Sequence, residues 1–350
     1  MAETRAMNVA WLCLQGLGDT LMATPAIRAL RQARPEWRIH AVATQRNCFE
    51  LLAGLTEVDA AHYVPYWELG GLGSARPLWR LRRQRFDISF LAYPAGRAEY
   101  HLLSALIGAR KRIAHAYPGQ RSLGFLEHRR VKIDSTHNVV NNMALLREVG
   151  LGSLRAGPYA APPAWFDRVR NQRIGLHIGS MKYKGNELKR WPAERYIELG
   201  HLLRAEGHLL AFICGPNERE ETVAVRDAVD ARAPLIEGPL EDVARNISGL
   251  SAVVAGDNGI AHLAAAMRVP VLALFGLTDP QLCSPWGQDV HVVRPSACPP
   301  CFQFGDKKFT CKRHIDVRCL RQDLRVEHVL EALHAVISVK KPSYRLHTHA

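Results

Sequence analysis

The sequence predicts an α/β protein built from two Rossmann-like, doubly wound domains that face each other across a cleft. Short apolar runs of strand type alternate with helical patterns along the whole chain, the sign of βαβ units and parallel sheets. The length of 350 residues is about twice that of a usual single domain. Near the midpoint, Arg155-Ala-Gly-Pro-Tyr-Ala-Ala-Pro-Pro-Ala-Trp165 is rich in proline, glycine and alanine and reads as an interdomain linker. The expected division is therefore residues 1–160 and residues 161–350.

In the first half the strand candidates are Asn8 to Leu14, Ile39 to Ala43 and Ile88 to Ala92. A glycine turn follows the first of them. Thr24 and Pro25 then read as the cap and first residue of a helix that turns Ile27 and Leu30 inward. Beyond the linker the alternation restarts with Ile174 to Ile178, a helix from about Pro192 to Ala205, and Leu209 to Cys214. A helix from about Glu218, the pair Leu235-Ile236, a helix near Glu241 to Ile247, and strands Ala252 to Ala255 and Val271 to Phe275 complete the pattern. In such sheets a ligand belongs at the carboxyl ends of the strands.

Composition narrows the class. With 47% hydrophobic and 23% charged residues the chain is ordinary for a globular protein, and no segment reaches the roughly 18 unbroken apolar residues of a membrane span. The apolar run Met7 to Leu14 is ended by Gly16, Gly18 and Asp19 before a signal-peptide core can form, so export is not expected. The formal charge of +13 points to an acidic partner: nucleic acid, an anionic membrane face or a phosphorylated substrate. The basic residues Arg76, Arg80, Arg82, Arg83 and Arg85, then Arg110 to Arg112, then Arg121 to Lys132, read equally as a solvated face. They lack the interleaved aromatics of a nucleic-acid motif.

Three segments carry candidate chemistry. Gly16-Leu17-Gly18-Asp19-Thr20 follows the first strand, where glycines permit a sharp turn and leave helix amides open to an anion. Leu21 and Met22 stand where a dinucleotide fingerprint needs its third glycine, which weakens an oxidoreductase reading. Asp19 is placed either to accept a proton from a substrate hydroxyl or merely to cap the next helix. Lys189-Arg190-Trp191-Pro192 sets a lysine before a helix start, suited to a phosphate or to plain exposure in a basic loop. Asp257-Asn258-Gly259-Ile260-Ala261-His262 lies between a strand and an Ala-rich helix, again in phosphate-cradling order. His262 either faces that anion or is a satisfied structural residue.

Together with Gly215-Pro216-x-Glu218 and Phe275-Gly276-x-Thr278-Asp279-Pro280, these segments occur in the order seen in glycosyltransferase family 9, the ADP-heptose heptosyltransferases of the GT-B fold. The chain resembles that family from about residue 8 to residue 335. The resemblance implies Asp19 as general base on the acceptor hydroxyl and Lys189 as the cation that holds the diphosphate and stabilises departing ADP. It implies donor contacts from Gly18, Thr20, Glu218, Asp257, Asn258, Gly259 and His262. Transfer would be inverting and independent of a divalent ion, and the sequence holds no Asp-x-Asp pair. The first domain would bind the acceptor, with Arg97 in Tyr93-Pro94-Ala95-Gly96-Arg97 meeting an acceptor phosphate or carboxylate. The implied partners are ADP-heptose and a lipopolysaccharide inner-core sugar, with a protein or small-glycoside acceptor as the alternative. A non-catalytic scaffold binding a sugar nucleotide or nucleic acid is the third reading. The expected location is cytoplasmic, peripheral at the anionic inner face of the inner membrane.

Eight cysteines without an export signal argue for reduced thiols. Cys298-x2-Cys301-x9-Cys311-x7-Cys319 fits a tetrahedral thiolate site for zinc or iron, against the alternative of free or transiently oxidised thiols. Such a cluster holds iron in the part of the family that modifies autotransporter proteins. Four thiolates leave no open position, so the role expected for the loop 298–319 is structural, and no cofactor is expected in catalysis.

Overall fold

A computed structural model describes residues 6–117, 123–134, 136–166, 169, 171–180, 185–215, 217–302, 306 and 308–338. The first sheet is formed by β1 (Asn8–Cys13), β2 (Arg38–Ala43), β3 (Ala60–Tyr63), β4 (Ile88–Leu91), β5 (Lys111–Ala116) and β6 (Arg129–Lys132). The second is formed by β7 (Arg173–His177), β8 (Leu209–Ile213), β9 (Leu235–Ile236), β10 (Ala252–Gly256), β11 (Val271–Leu274) and β12 (Val290–Val293). Their orders are β3-β2-β1-β4-β5-β6 and β12-β11-β10-β7-β8-β9. Every pairing is parallel. Both sheets thus follow the same 3-2-1-4-5-6 winding, with a topological switch at β1/β4 and at β7/β10.

Apart from the short edge strand β9, the strands that sequence reading finds are the well-buried ones. β1, as Asn-Val-Ala-Trp-Leu-Cys, is buried from Val9 onward, and β10 is buried throughout, as central parallel strands should be. β5 and β6, as Lys-Arg-Ile-Ala-His-Ala and Arg-Arg-Val-Lys, escape it because their cations mask the alternation. β3, β6, β9 and β12 are edges, where polar side chains are tolerated and useful.

Apolar side chains separate into three layers. One cluster, including Phe86, Leu81 and Leu103, covers the outer face of the first sheet. Another, including Trp191, Leu199 and Leu333, covers the outer face of the second. The largest, from Trp11 and Leu30 to Val253 and Phe275, runs continuously between the two inner faces. The helices Leu17–Ala33 and Gly259–Ala266 meet there.

The first helix departs from its expected start. It runs from Leu17 to Ala33 with Gly16 as N-cap, so Pro25 lies inside it. Proline has no N–H to give the Leu21 carbonyl four residues back. The Thr24 hydroxyl donates to that carbonyl at 2.7 Å instead, so the Thr-Pro pair that looks like a helix start is a repaired helix interior.

Candidate active site

Asp19 sits in the first turn of the helix Leu17–Ala33, just past the carboxyl end of β1. The Gly16 side offers no capping side chain, which leaves the first amides of this helix open. Across the cleft the helix Gly259–Ala266 starts at the carboxyl end of β10. The first turns of the two helices touch: a Cβ on Gly18 would lie 2.9 Å from His262 Cδ2, and one on Gly259 would lie 3.3 Å from Leu17 Cβ. Glycine at both positions is what permits the approach.

The two positive helix ends meet beside Lys189. Its ammonium donates to Asp257 Oδ2 at 3.0 Å, and both side chains are nearly buried, at 12% and 10% exposed. Thr278 Oγ1 donates to the same oxygen at 2.8 Å. Burial acts to raise Asp257, but Lys189 and the hydrogen bonds from Thr278 and Lys189 outweigh it and hold the carboxyl below its ordinary value. Asp19 goes the other way. Burial, reinforced by the nearby Asp257 carboxylate, pushes it up to about 7, against the lowering effects of Lys189 and the Gly16 amide. Two carboxylates share one lysine, and the environment has driven their proton affinities apart, the arrangement that assigns acid and base roles.

His262 is buried, and desolvation holds it near 4, with His137 and Lys189 lowering it further and Asp257 opposing. Its ring is neutral at pH 7. Tyr159, in the linker, has its hydroxyl 2.9 Å from His262 Nδ1 and accepts the Trp286 amide at 3.1 Å. A hydroxyl that accepts from an amide still has its own proton to give, and donating it to Nδ1 would leave the ring proton on Nε2, the side of the ring that faces Gly18. Tyr159→Phe is expected to lower turnover by about tenfold, the equivalent of one net hydrogen bond, with a few degrees lost in Tm. Steady-state rates and thermal melts measure both.

The other sequence-predicted residues divide into those at the cleft and those behind it. Thr20 is fully buried in the helix below the turn. Asn258 caps the helix Gly259–Ala266: its Oδ1 accepts from the Ile260 and Ala261 amides at 3.0 and 3.3 Å, and its amide reaches His177 Nδ1 and the Gly179 carbonyl. The anion-cradling amides are accordingly fewer on this helix than its sequence suggests. Glu218 is buried and accepts from His177 Nε2 at 2.9 Å and from the Gly215 amide at 3.2 Å. Burial would raise it, but those bonds and the Arg190 charge hold it below the usual carboxylate range. His177 therefore bridges Glu218 and Asn258. Sequence reading gives His177, Thr278 and Tyr159 no role, since only their partners mark them.

Arg97 lies in the first domain at the start of the helix Ala98–Ile107. Its guanidinium sits 4.7 Å from the Trp67 ring centroid and 3.8 Å from Glu99. The four cysteines lie together in the loop after β12. Burial, then the neighbouring Cys298, Cys301 and Cys311, push the Cys319 thiol up to about 11. Burial acts to raise Cys311 too, but backbone amides from residues 313, 314, 315 and 317 outweigh it and hold that thiol below its ordinary value. The donor set suits a thiolate-bound ion in kind. Among the described residues, Glu206, His208 and His334 bring three ligand atoms within 4.8 Å of one another.

Two tandem domains of this winding, with candidate residues from both meeting in one cleft, define a GT-B protein. Residues 78–310 match the family model of glycosyltransferase family 9 (heptosyltransferase). Lipopolysaccharide heptosyltransferase 2 of Salmonella typhimurium is 24% identical over 351 residues, 92% of this chain and 96% of that one. The structure of E. coli ADP-heptose lps heptosyltransferase II superposes with a TM-score of 0.72 at 22% identity, covering 95% and 99% of the two chains. The iron-containing dodecameric glycosyltransferase TibC of enterotoxigenic E. coli does so at 0.61 and 14% identity, covering 95% and 77%. The chain belongs to glycosyltransferase family 9.

Proposed function

We propose that the protein transfers heptose from ADP-heptose to an inner-core sugar of lipopolysaccharide, inverting the anomeric carbon without a catalytic divalent ion. The observation that carries this is the meeting of two helix N-termini and Lys189 beside a carboxylate of raised proton affinity. Two positive helix ends and an ammonium, packed together, favour a bound anion, and a nucleoside diphosphate supplies one.

In the reaction the acceptor hydroxyl oxygen attacks the anomeric carbon and gives its proton to Asp19. The bond from that carbon to the diphosphate oxygen breaks, and ADP leaves with the electron pair, stabilised by Lys189 and the open amides of the helix Leu17–Ala33. Ionised Asp257 can only accept hydrogen bonds, so it suits the donor's sugar hydroxyls better than its phosphates. Neutral His262, in the tautomer that carries its proton on Nε2, is a donor toward the same ligand. Arg97 meets an acidic group on the acceptor, and Gly18, Thr20, Glu218, Asn258 and Gly259 shape the donor pocket.

ADP release with ADP-heptose and a heptose-deficient core tests the reading. Turnover is expected, and none with any core acceptor removes it. The four-cysteine segment favours a second reading, in which the donor is the same and the acceptor is a protein hydroxyl or small glycoside; glycan mass shifts on candidate proteins separate the two. Cys298, Cys301, Cys311 and Cys319 are proposed to hold a structural zinc or iron, which would tie the loop together and supply nothing to the transfer. The protein is proposed to act in the cytoplasm. No helix among the described residues is long and apolar enough to cross a membrane.

A further inference from the structure

Away from the cleft, three side chains with metal-ligating atoms converge at the opposite end of the second sheet. The helix Ala193–Ala205 stops just before β8 begins at Leu209, and so at the amino end of that strand, whereas the cleft is built at the carboxyl ends. A left-handed glycine closes the helix. Gly207, at φ +85°, gives its amide to the Arg204 carbonyl at 3.0 Å, and the His208 amide reaches the Leu203 carbonyl at 2.9 Å. This pair of bonds is the Schellman closure of a helix, and it fixes the backbone of Glu206 and His208 on either side of the glycine. The third group, His334, comes from the helix Val326–Ser338. Val329, Leu333 and Val336 of that helix are buried in the outer apolar layer of the second sheet, and it packs on the helix Ala193–Ala205.

Both imidazoles present Nε2 to one carboxylate oxygen. Glu206 Oε2 is 2.8 Å from His334 Nε2 and 3.7 Å from His208 Nε2, and the three ligand atoms lie within 4.8 Å of one another. A tetrahedral zinc ion with bonds of about 2.0–2.1 Å holds its ligand atoms about 3.3 Å apart. That spacing falls between the two observed distances, so small side-chain rotations close the trio on an ion. An ordinary ion pair accounts for His334 and Glu206 but leaves His208 Nε2 facing an oxygen beyond hydrogen-bond reach. The neighbouring cation, Arg204, is taken up by Asp230 at 3.4 Å, and among the described residues Glu206 pairs with the two histidines and with no lysine or arginine. The side chains are 31% to 45% exposed, which gives an ion a way in, and the negative end of the helix Ala193–Ala205 favours it. Two imidazoles and a carboxylate select zinc, nickel or copper over magnesium and calcium, which take oxygen ligands.

We propose that Glu206, His208 and His334 form a site for a divalent ion of the zinc type, which clamps the helix Val326–Ser338 to the end of the helix Ala193–Ala205, with water completing the tetrahedron. The site needs neither the transferase reading nor the four-cysteine segment. Full-length, reduced protein is dialysed against zinc or against magnesium and the bound ions are counted, beside His208→Gln and His334→Gln. Each variant is expected to hold one zinc ion fewer per chain, or to bind it about 100-fold more weakly, since losing a ligand costs more than losing a partner behind one. Magnesium should not bind there. An ion on the cysteine segment is common to all three proteins and subtracts. Cobalt separates the two sites by colour: thiolate-bound cobalt shows strong sulfur charge-transfer absorption, which should be equal in all three, while the weaker visible bands of a nitrogen- and oxygen-bound ion should be lost in the variants. Saturating zinc should raise Tm by several degrees more in the unaltered protein than in either variant. His208→Gln keeps the bond between His334 and Glu206, so its zinc-free Tm should match that of the unaltered protein, which shows that it folds. Equal zinc counts in all three proteins, equal gains in Tm, or magnesium bound as readily as zinc overturns the proposal.

Discussion

Asp19→Asn is expected to lower heptose transfer by about 10³-fold, the scale of a lost general base, while ADP affinity stays unchanged or tightens. Asparagine keeps the shape and the hydrogen-bonding reach but cannot take the acceptor's proton. In the unaltered protein the rate should rise with pH through a midpoint near 7, because Asp19 must lose its proton to act and burial holds that proton to about 7. The stability consequence has the opposite sense. The carboxyl titrates near its ordinary value in the unfolded chain and near 7 in the folded one, so the folded state binds more protons between those values and stability falls as pH rises across that window. Asp19→Asn removes this term and should raise Tm at pH 8 but not at pH 3. A variant that keeps its turnover would move the base elsewhere. One whose Tm is unchanged at both pH values would show that Asp19 is not desolvated.

Much of this site is legible in the sequence because its order along the chain is local. Gly18-Asp19 and Asp257-x-Gly259-x-x-His262 each follow a strand and open a helix, and the fold places both at the carboxyl ends of β1 and β10. What local order cannot give is pairing. Tyr159 and His262 are 103 positions apart, and the tyrosine lies in a stretch whose composition says only linker. Lys189 reads as the neighbour of its own helix start, yet its partner is Asp257, 68 positions away. The Thr24-Pro25 misreading has the same origin, since a hydroxyl repairing a helix and a hydroxyl starting one look alike until the Leu21 carbonyl is seen. Asn258 was expected among the donor contacts, and its local geometry shows a strong cap, a role equally readable from its place before Gly259.

Lys189→Ala should cost transfer roughly 3 to 4 kcal/mol at most, about 10²- to 10³-fold in kcat/KM, by comparison with single donors to a developing anion. Loss of affinity for ADP should accompany it, because in the proposed reaction the same ammonium faces the diphosphate before and during its departure. The variant also strips Asp257 of its cation and leaves the Thr278 hydroxyl on that carboxyl. Both carboxyls lose a charge that lowers them, so the acid limb of the rate profile should move above 7. Asp257→Asn makes the contrary change, removing a neighbour that raises Asp19, and its limb should move below 7. The double variant should fall short of the sum of the single losses, since the residues act on one oxygen-lined pocket and on each other. These opposed shifts distinguish a shared electrostatic site from two separate contacts: a pH profile that stays put in both variants, or ADP affinity and turnover that survive Lys189→Ala, would leave the lysine outside the reaction.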